Sequence, residues 1–282
     1  VSSLLASEAE FAPAKGKNAW SIFLTQSGET ADTIAAARLA RRAGYFTLAL
    51  TNSRDSSITR TVDETLYTVA GLELSVAATK TFIALLIGLY LLGLELCDPP
   101  AEVAHQLLSE LQQLPEKVAL ILQEHSKIKR ISKFISAHQS IFLIGKGINF
   151  PVALEGALKL KELAYIHAEG YPAGELKHGS FALLGHDTPV IAIAPQDGTY
   201  NRMLNTIKEI KARNAPVVVI TNGTEGEITQ IADEVIMLPN TDPLLSPALS
   251  TVALQLLAYY CAIERGCPID RPRNLAKSVT VH

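Results

Sequence analysis

Three charged residues share one side of the stretch Glu155-Gly-Ala-Leu-Lys-Leu-Lys-Glu162. In a helix, Glu155, Lys159 and Glu162 stand at i, i+4 and i+7, so their side chains project together. A carboxylate beside an ammonium is what a proton-transfer site needs. A solvated Glu–Lys ladder on a helix surface has the same spacing and contributes only a few tenths of a kcal/mol, ~0.2–0.5 per pair. A second bunching lies just downstream. His178 sits between Gly174 and Gly179, near Glu175 and Lys177, as in a tight functional loop or a plain turn.

A third candidate is Thr25-Gln-Ser-Gly-Glu-Thr30, between an apolar strand pattern and a helical one. Hydroxyls, free backbone N–H groups and a helix dipole converge there, which suits an anion such as a phosphate monoester. An ordinary helix N-cap by Ser27 or Thr30 explains the same residues. Gly145-Lys-Gly-Ile-Asn-Phe150 is like a dinucleotide loop but carries Phe at the third glycine position, and no acidic residue follows where a ribose would need one. A nicotinamide site is therefore rejected. The histidines show no metal-ligand grouping, and no cofactor or metal is expected.

The elements that must position these residues repeat. Apolar strand patterns without alternation are read at 20–25, 46–51, 64–69, 140–145, 189–194, 217–220 and 234–238. Joined by amphipathic helices, they predict parallel sheets covered on both faces. Thr25 to Thr51 spans 51 − 25 = 26 positions and Pro195 to Thr221 spans 221 − 195 = 26. At this offset Gln26 matches Gln196, Gly28 matches Gly198, Gly44 falls on Asn214 and Asn52 on Asn222. Asp197 stands where Ser27 stands, and a carboxylate there would repel a phosphate, so the phosphate is assigned to the first copy alone. The strand and loop at 140–147 have no counterpart in the first copy, which is expected to begin inside its domain. A helix is expected from about Ala77 to Leu96, buried inside a soluble protein, and two connector helices at roughly 101–113 and 115–137. A last apolar helix spans 247–265, and the polar tail after it reads on its own as disordered.

Bulk properties bound the partners. The chain of 282 residues carries a net charge of −3, with 48% hydrophobic and 19% charged residues. That gives ample core material and no reason to expect nucleic acid or an acidic membrane. The apolar run Phe82–Leu94 is shorter than the ~20 residues of a membrane span. Cys97, Cys261 and Cys267 have no metal or redox spacing, which suits a reducing compartment.

Glu155–Glu162, Tyr165-Ile-His-Ala-Glu169, Ala173-Gly-Glu-Leu-Lys-His-Gly179, Pro272-Arg-Asn-Leu-Ala-Lys-Ser-Val-Thr-Val281 and Gln26-Ser-Gly-Glu-Thr-Ala-Asp-Thr33 together resemble the isomerase half of the glutamine–fructose-6-phosphate aminotransferases. The likeness covers nearly the whole chain. It implies two sugar isomerase (SIS) domains, each an α/β doubly wound parallel sheet flanked by helices in three layers. The first, incomplete at its start, is placed at 1–118 and the second at 128–264, with a tail at 265–282 closing over the active site. The implied substrates are fructose 6-phosphate and glucosamine 6-phosphate, and the implied reaction is proton transfer between C1 and C2. By position, Thr25, Gln26, Ser27 and Thr30 would hold the phosphate, and Val76 and Ala276 would contact the sugar through the backbone. Glu162 would be the base and Lys159 would stabilise the enol-like intermediate. His178, from the neighbouring subunit of a homodimer, would assist ring opening. Lys277 would form a Schiff base with the ketose.

A cytoplasmic enzyme with no membrane or nucleic-acid partner is implied. Thr25 replaces the family's usual serine and keeps a hydroxyl. Ala78, where the aminotransferases usually have serine, is instead like the stand-alone glucosamine-6-phosphate deaminases. That activity is the alternative, and a non-catalytic phosphosugar sensor is a third reading.

Overall fold

The structure, a computed structural model, describes residues 1–11, 19–223 and 226–280. Val281 of the tail motif, and His282 after it, lie outside the described residues. The chain divides into two compact units, residues 1–98 with 274–282, and residues 99–273.

The first unit holds β1 (Trp20–Thr25), α1 (Ala31–Arg42), β2 (Phe46–Thr51), β3 (Glu64–Tyr67) and α2 (Lys80–Cys97). The strands form a parallel sheet in the order β1-β2-β3, with Trp20 opposite Phe46 and Leu48 opposite Glu64. Among the described residues β1 pairs with β2 alone. A small core of Ala37, Ala49, Ile58 and Val62 fastens α1 and the turn after β2 to the sheet.

The second unit holds α3 (Ala101–Gln123), α4 (His125–Ser136), β4 (Ser140–Gly145), α5 (Asn149–Ala164), β5 (His167–Pro172), β6 (Val190–Ile193), α6 (Tyr200–Lys211), β7 (Val217–Thr221), α7 (Glu227–Ile231), β8 (Glu234–Met237) and α8 (Ser246–Glu264). Its five parallel strands run β5-β4-β6-β7-β8. The unbroken apolar runs of β4, β6 and β7 are buried along nearly their whole length, as a sheet covered on both faces requires. Helix α5 lies close on this sheet and on α8. A Cβ added at Gly156 would come within 2.7 Å of Leu254 and 2.8 Å of Leu143.

The repeat extends to individual bonds. Trp20 and Val190 open matching strands 190 − 20 = 170 positions apart. Asp63 accepts from the Thr47 backbone N–H at 2.9 Å, and at the same offset Asp233 accepts from that of Val217 at 2.7 Å. Arg41 lies 3.5 Å from Asp63, and Lys211 lies 2.7 Å from Asp233.

Four expectations are corrected. The connector does not break near Pro115: α3 runs through it to Gln123 and the break falls at Glu124. Pro115 forfeits one helical bond, but Leu107, Leu114 and Ile121 bury a continuous stripe across it. Strand β5 was not foreseen, because His-Ala-Glu-Gly-Tyr-Pro has neither alternation nor an apolar run. The strand expected to reach Val69 ends at Tyr67, since Val69 takes a left-handed φ of 52°. Helix α2 is not a buried helix: of its residues only Thr81 is buried. By length and composition both α2 and Pro243–Glu264 could cross a bilayer. The second is a core helix, 72% buried, whereas α2 is 6% buried.

Candidate active site

In the first unit, the loop after β1 is shaped by its own hydroxyls. Thr25 Oγ1 accepts from the Gly28 N–H at 3.1 Å and Ser27 Oγ from the Glu29 N–H at 3.2 Å. The Gln26 carbonyl accepts from the Asn52 N–H and from the Ser53 hydroxyl, each at 3.2 Å. Gly28 sits at φ +67°, where a Cβ would fall 2.2 Å from Ser56 Oγ, so only glycine fits. Glu29 is turned aside onto Ser57, accepting from its N–H and its hydroxyl at 2.7 Å each. Those bonds hold the Glu29 carboxyl below its usual range.

The helix-cap reading of this loop fails. Thr30 occupies the N-cap position of α1 and makes no capping bond. The first helical N–H, that of Ala31, instead donates to the Val279 carbonyl of the tail at 3.0 Å. Among the described residues the side chains of Gln26 and Thr30 have no hydrogen-bond partner. The loop thus presents an unengaged amide and an unengaged hydroxyl at a helix N-terminus, an arrangement suited to a phosphate.

The tail docks beside it. Lys277 Nζ donates to the Ser75 carbonyl at 2.8 Å and lies 3.5 Å from that of Val76. This brings Val76, Ala276 and Lys277 together within the first unit. The loop that carries Val76 is pinned by a residue the sequence did not single out. Glu73 is buried and accepts from the N–H and hydroxyl of both Thr79 and Thr81, at 2.6–3.1 Å. Burial pushes Glu73 up, but the hydrogen bonds from Thr81 and Thr79 outweigh it and leave the carboxyl below its usual value.

In the second unit, α5 carries the charged trio. Lys159 is 2% exposed, which removes the reading of a solvated ladder. Its ammonium lies 2.5 Å from Glu162 Oε2 and 3.5 Å from Glu155 Oε1. Leu154 and Leu158 are exposed, and the packing face of α5 is made by Val152, Gly156, Leu160 and Leu163, all buried. Burial foremost raises Glu155 to about 7; Lys159 opposes this and Glu162 adds to it. Glu155 Oε1 is buried without a hydrogen bond. One cation against two carboxylates leaves room for one mobile proton, which is a proton-transfer arrangement.

His178 is exposed and ends a short 3-10 turn, its N–H donating to the Glu175 carbonyl at 2.9 Å. Among the described residues its ring has no hydrogen-bond partner, so nothing within the second unit ties it to the trio. Tyr165 was missed as a functional residue. It closes α5 at a left-handed φ of 54°, accepts from the Arg273 N–H at 2.8 Å, and has the Arg273 guanidinium 4.3 Å from its ring centroid. It therefore anchors the chain where it enters the tail motif. Its signal was present, since Tyr165 and Arg273 both fall in long recognisable motifs. Among the described residues no group of three or more His, Cys, Asp or Glu is placed to hold a metal ion.

Comparison with known proteins gives concordant findings. The SIS domain model matches residues 9–94 and 133–265. The glutamine–fructose-6-phosphate aminotransferase (isomerizing) of Methanosarcina acetivorans is 48% identical over 273 residues, 95% of this chain and 44% of that protein. That of Thermococcus kodakarensis is 46% identical over 264 residues, 92% of this chain and 44% of the relative. The chain thus spans under half the length of these curated relatives. Among solved structures, the C-terminal domain of glucosamine-fructose-6-phosphate aminotransferase from Francisella tularensis superposes with a TM-score of 0.91 at 31% identity, covering 96% of this chain and 78% of that one. A glucosamine-6-phosphate deaminase from Thermotoga maritima shares the fold, with a TM-score of 0.78 at 24% identity, covering 97% of this chain and 80% of that one.

Proposed function

Because the chain belongs to the SIS domain family, we propose that it is a phosphosugar isomerase that interconverts fructose 6-phosphate and glucosamine 6-phosphate, as the isomerase part of a glutamine–fructose-6-phosphate aminotransferase. The observation that carries this reading is the buried Lys159 ammonium between Glu162 and Glu155. Moving a proton between adjacent carbons needs one carboxylate able to reach both, and Glu162 is that base. The enol-like oxyanion needs a cation in a desolvated setting, and Lys159 supplies it. Thr25, Gln26, Ser27 and Thr30 hold the phosphate, and Val76 and Ala276 present backbone groups to the sugar. His178 assists ring opening. Lys277 attacks the ketose carbonyl once it releases the carbonyls of Ser75 and Val76 and loses its proton, since only the free amine is a nucleophile.

The working form is a homodimer in which His178 serves the neighbouring subunit. Its exposed ring, without a partner in its own unit, supports this, and so does the poorly covered apolar helix α2. The compartment is the cytoplasm, in keeping with three free cysteines. The domain limits are 1–118 and 128–264, with the tail from 265 as a strap over the site; the seat of Lys277 on Ser75 supports the strap. Ala78 favours a second reading, a stand-alone deaminase with the same residues in the same roles.

Incubation with glucosamine 6-phosphate, following fructose 6-phosphate and ammonia, tests the reading. Conversion that is abolished in Glu162→Gln is the expected result; equal rates in the two proteins would refute it. Sustained ammonia release over many turnovers would favour the deaminase. Mixing His178→Ala with Glu162→Gln protein should restore about a quarter of the wild-type rate if subunits exchange at random and share their sites.

A further inference from the structure

Four of the chain's eleven arginines line one cavity on the first unit. The cavity, of about 580 Å³, is walled by Arg38, Arg41 and Arg42 from α1 and by Ser57, Arg60 and Thr61 from the turn after β2. Two of the guanidinium groups are held in place. Arg41 donates to the Thr61 carbonyl at 3.0 Å and lies 3.5 Å from Asp63. Arg60 donates to the Asp55 carbonyl and reaches the Ser57 hydroxyl at 3.4 Å. Among the described residues Arg38 and Arg42 have no hydrogen bond or ion pair. Two carboxylates stand nearby, Asp63 on the N–H and hydroxyl of Thr47 and Glu29 on those of Ser57, and they offset two of the four positive charges.

Basic side chains near a helix C-terminus are common, because they complement its dipole. The internal repeat shows that this accounts for only part of the cluster. At the offset of 170, Arg38 becomes Lys208 and Ser57 becomes Glu227, and these two form an ion pair of 2.5 Å. Arg42 becomes Ala212 and Arg60 becomes Gln230, while the pair Arg41–Asp63 persists as Lys211–Asp233. The second unit thus neutralises this position internally. In the first, Ser57 replaces that acid but holds the Glu29 carboxylate, and two extra guanidinium groups stand in place of neutral residues. Four guanidinium groups against two carboxylates leave a net positive patch that an external anion would complete.

We propose that this cavity binds a small polyanion carrying at least two phosphate groups. Planar guanidinium forks match phosphate oxygens in pairs. Four of them outnumber what one phosphate engages, and the volume falls within the range of organic ligand sites, roughly 300–1,000 Å³. The site is distinct from the loop Thr25–Thr30, and the inference stands whether or not the isomerase reading does.

Calorimetric titration of the whole chain with inorganic pyrophosphate, and separately with inorganic phosphate, tests it. With fructose 6-phosphate in excess to occupy the Thr25–Thr30 loop, pyrophosphate is expected to bind one to one and at least about tenfold more tightly than phosphate, with affinity falling as salt rises. The exposed double variant Arg38→Glu/Arg42→Glu should weaken binding about tenfold or more with its melting temperature kept, and Arg42→Ala alone should weaken it in the same direction. Ser27→Ala should leave it unchanged. Absence of pyrophosphate binding at millimolar concentration, equal affinity in the double variant, or full displacement of pyrophosphate by fructose 6-phosphate would each overturn the proposal. The last would place the anion in the Thr25–Thr30 loop.

Discussion

Two loops at the same place in the repeat have opposite designs. After β1, Ser27 Oγ accepts from the N–H two residues ahead, and among the described residues Gln26 and Thr30 leave their side chains unpaired. After β6, Asp197 makes the same forward bond, its Oδ1 accepting from the Thr199 N–H at 2.7 Å and from its hydroxyl at 2.6 Å. Its other oxygen accepts from Asn149 Nδ2 at 2.9 Å. The second loop therefore carries its own anion and satisfies its donors with it. The first leaves equivalent donors for an anion from outside. The chemistry is divided the other way: the buried acid–amine cluster belongs to the second unit, and the first has no counterpart among its described residues. The repeat thus presents one scaffold in two designs: a loop with open donors in the first unit and a buried acid–amine cluster in the second.

The hardest blow to this division comes from Glu162→Gln. It should lower kcat by roughly 10²–10⁴ while leaving KM for the sugar phosphate nearly unchanged, in a steady-state isomerisation assay. A raised KM with unchanged kcat would mean that the second unit also holds substrate. Next in size is a pH effect on stability. Burial foremost lifts Glu155 from 4.5 to about 7, so the folded state binds its proton more tightly than the unfolded chain does. The contribution of Glu155 to stability should be fully present below pH 4.5, fall by on the order of 2–3 kcal/mol as pH rises to 7, and then level off. Glu155→Gln should flatten that slope in denaturant titrations at several pH values; an unchanged slope would place the cause elsewhere.

Ser27→Asp imports the second loop's anion into the first. KM should rise about ten- to a hundredfold with kcat little altered, and the melting temperature should hold. The reciprocal change, Asp197→Ser, should create no phosphate site and should destabilise the protein by about 1 kcal/mol through the lost bonds to Thr199 and Asn149, read as a shift in the denaturation midpoint.

Much of this was legible in the residues. Continuous apolar strands announced the parallel sheets, and the fixed offset announced their duplication down to Asn52 and Asn222. The trio on α5 was visible from its spacing, but its burial was not. Spacing gives a shared face, and only the packing of Gly156 against Leu143 and Leu254 shows how deep that face lies. Strand β5 escaped because its pairing to β4 is dictated by tertiary neighbours rather than by its own composition. Glu73 escaped for a related reason. Its role lies in whom it bonds, six and eight positions away, and no local pattern encodes that.

Strand β1 has a practical consequence of its own. In the second unit the matching strand, β6, is flanked on both sides, by β4 and β7. In the first, among the described residues, β1 is flanked by β2 only and shows Trp20, Ile22 and Leu24 at 55%, 38% and 46% exposure, with no lysine or proline among its six residues. An unpaired strand margin of this kind templates pairing with the backbone of another strand. Placing a gatekeeper lysine at Ile22 is the remedy the geometry recommends.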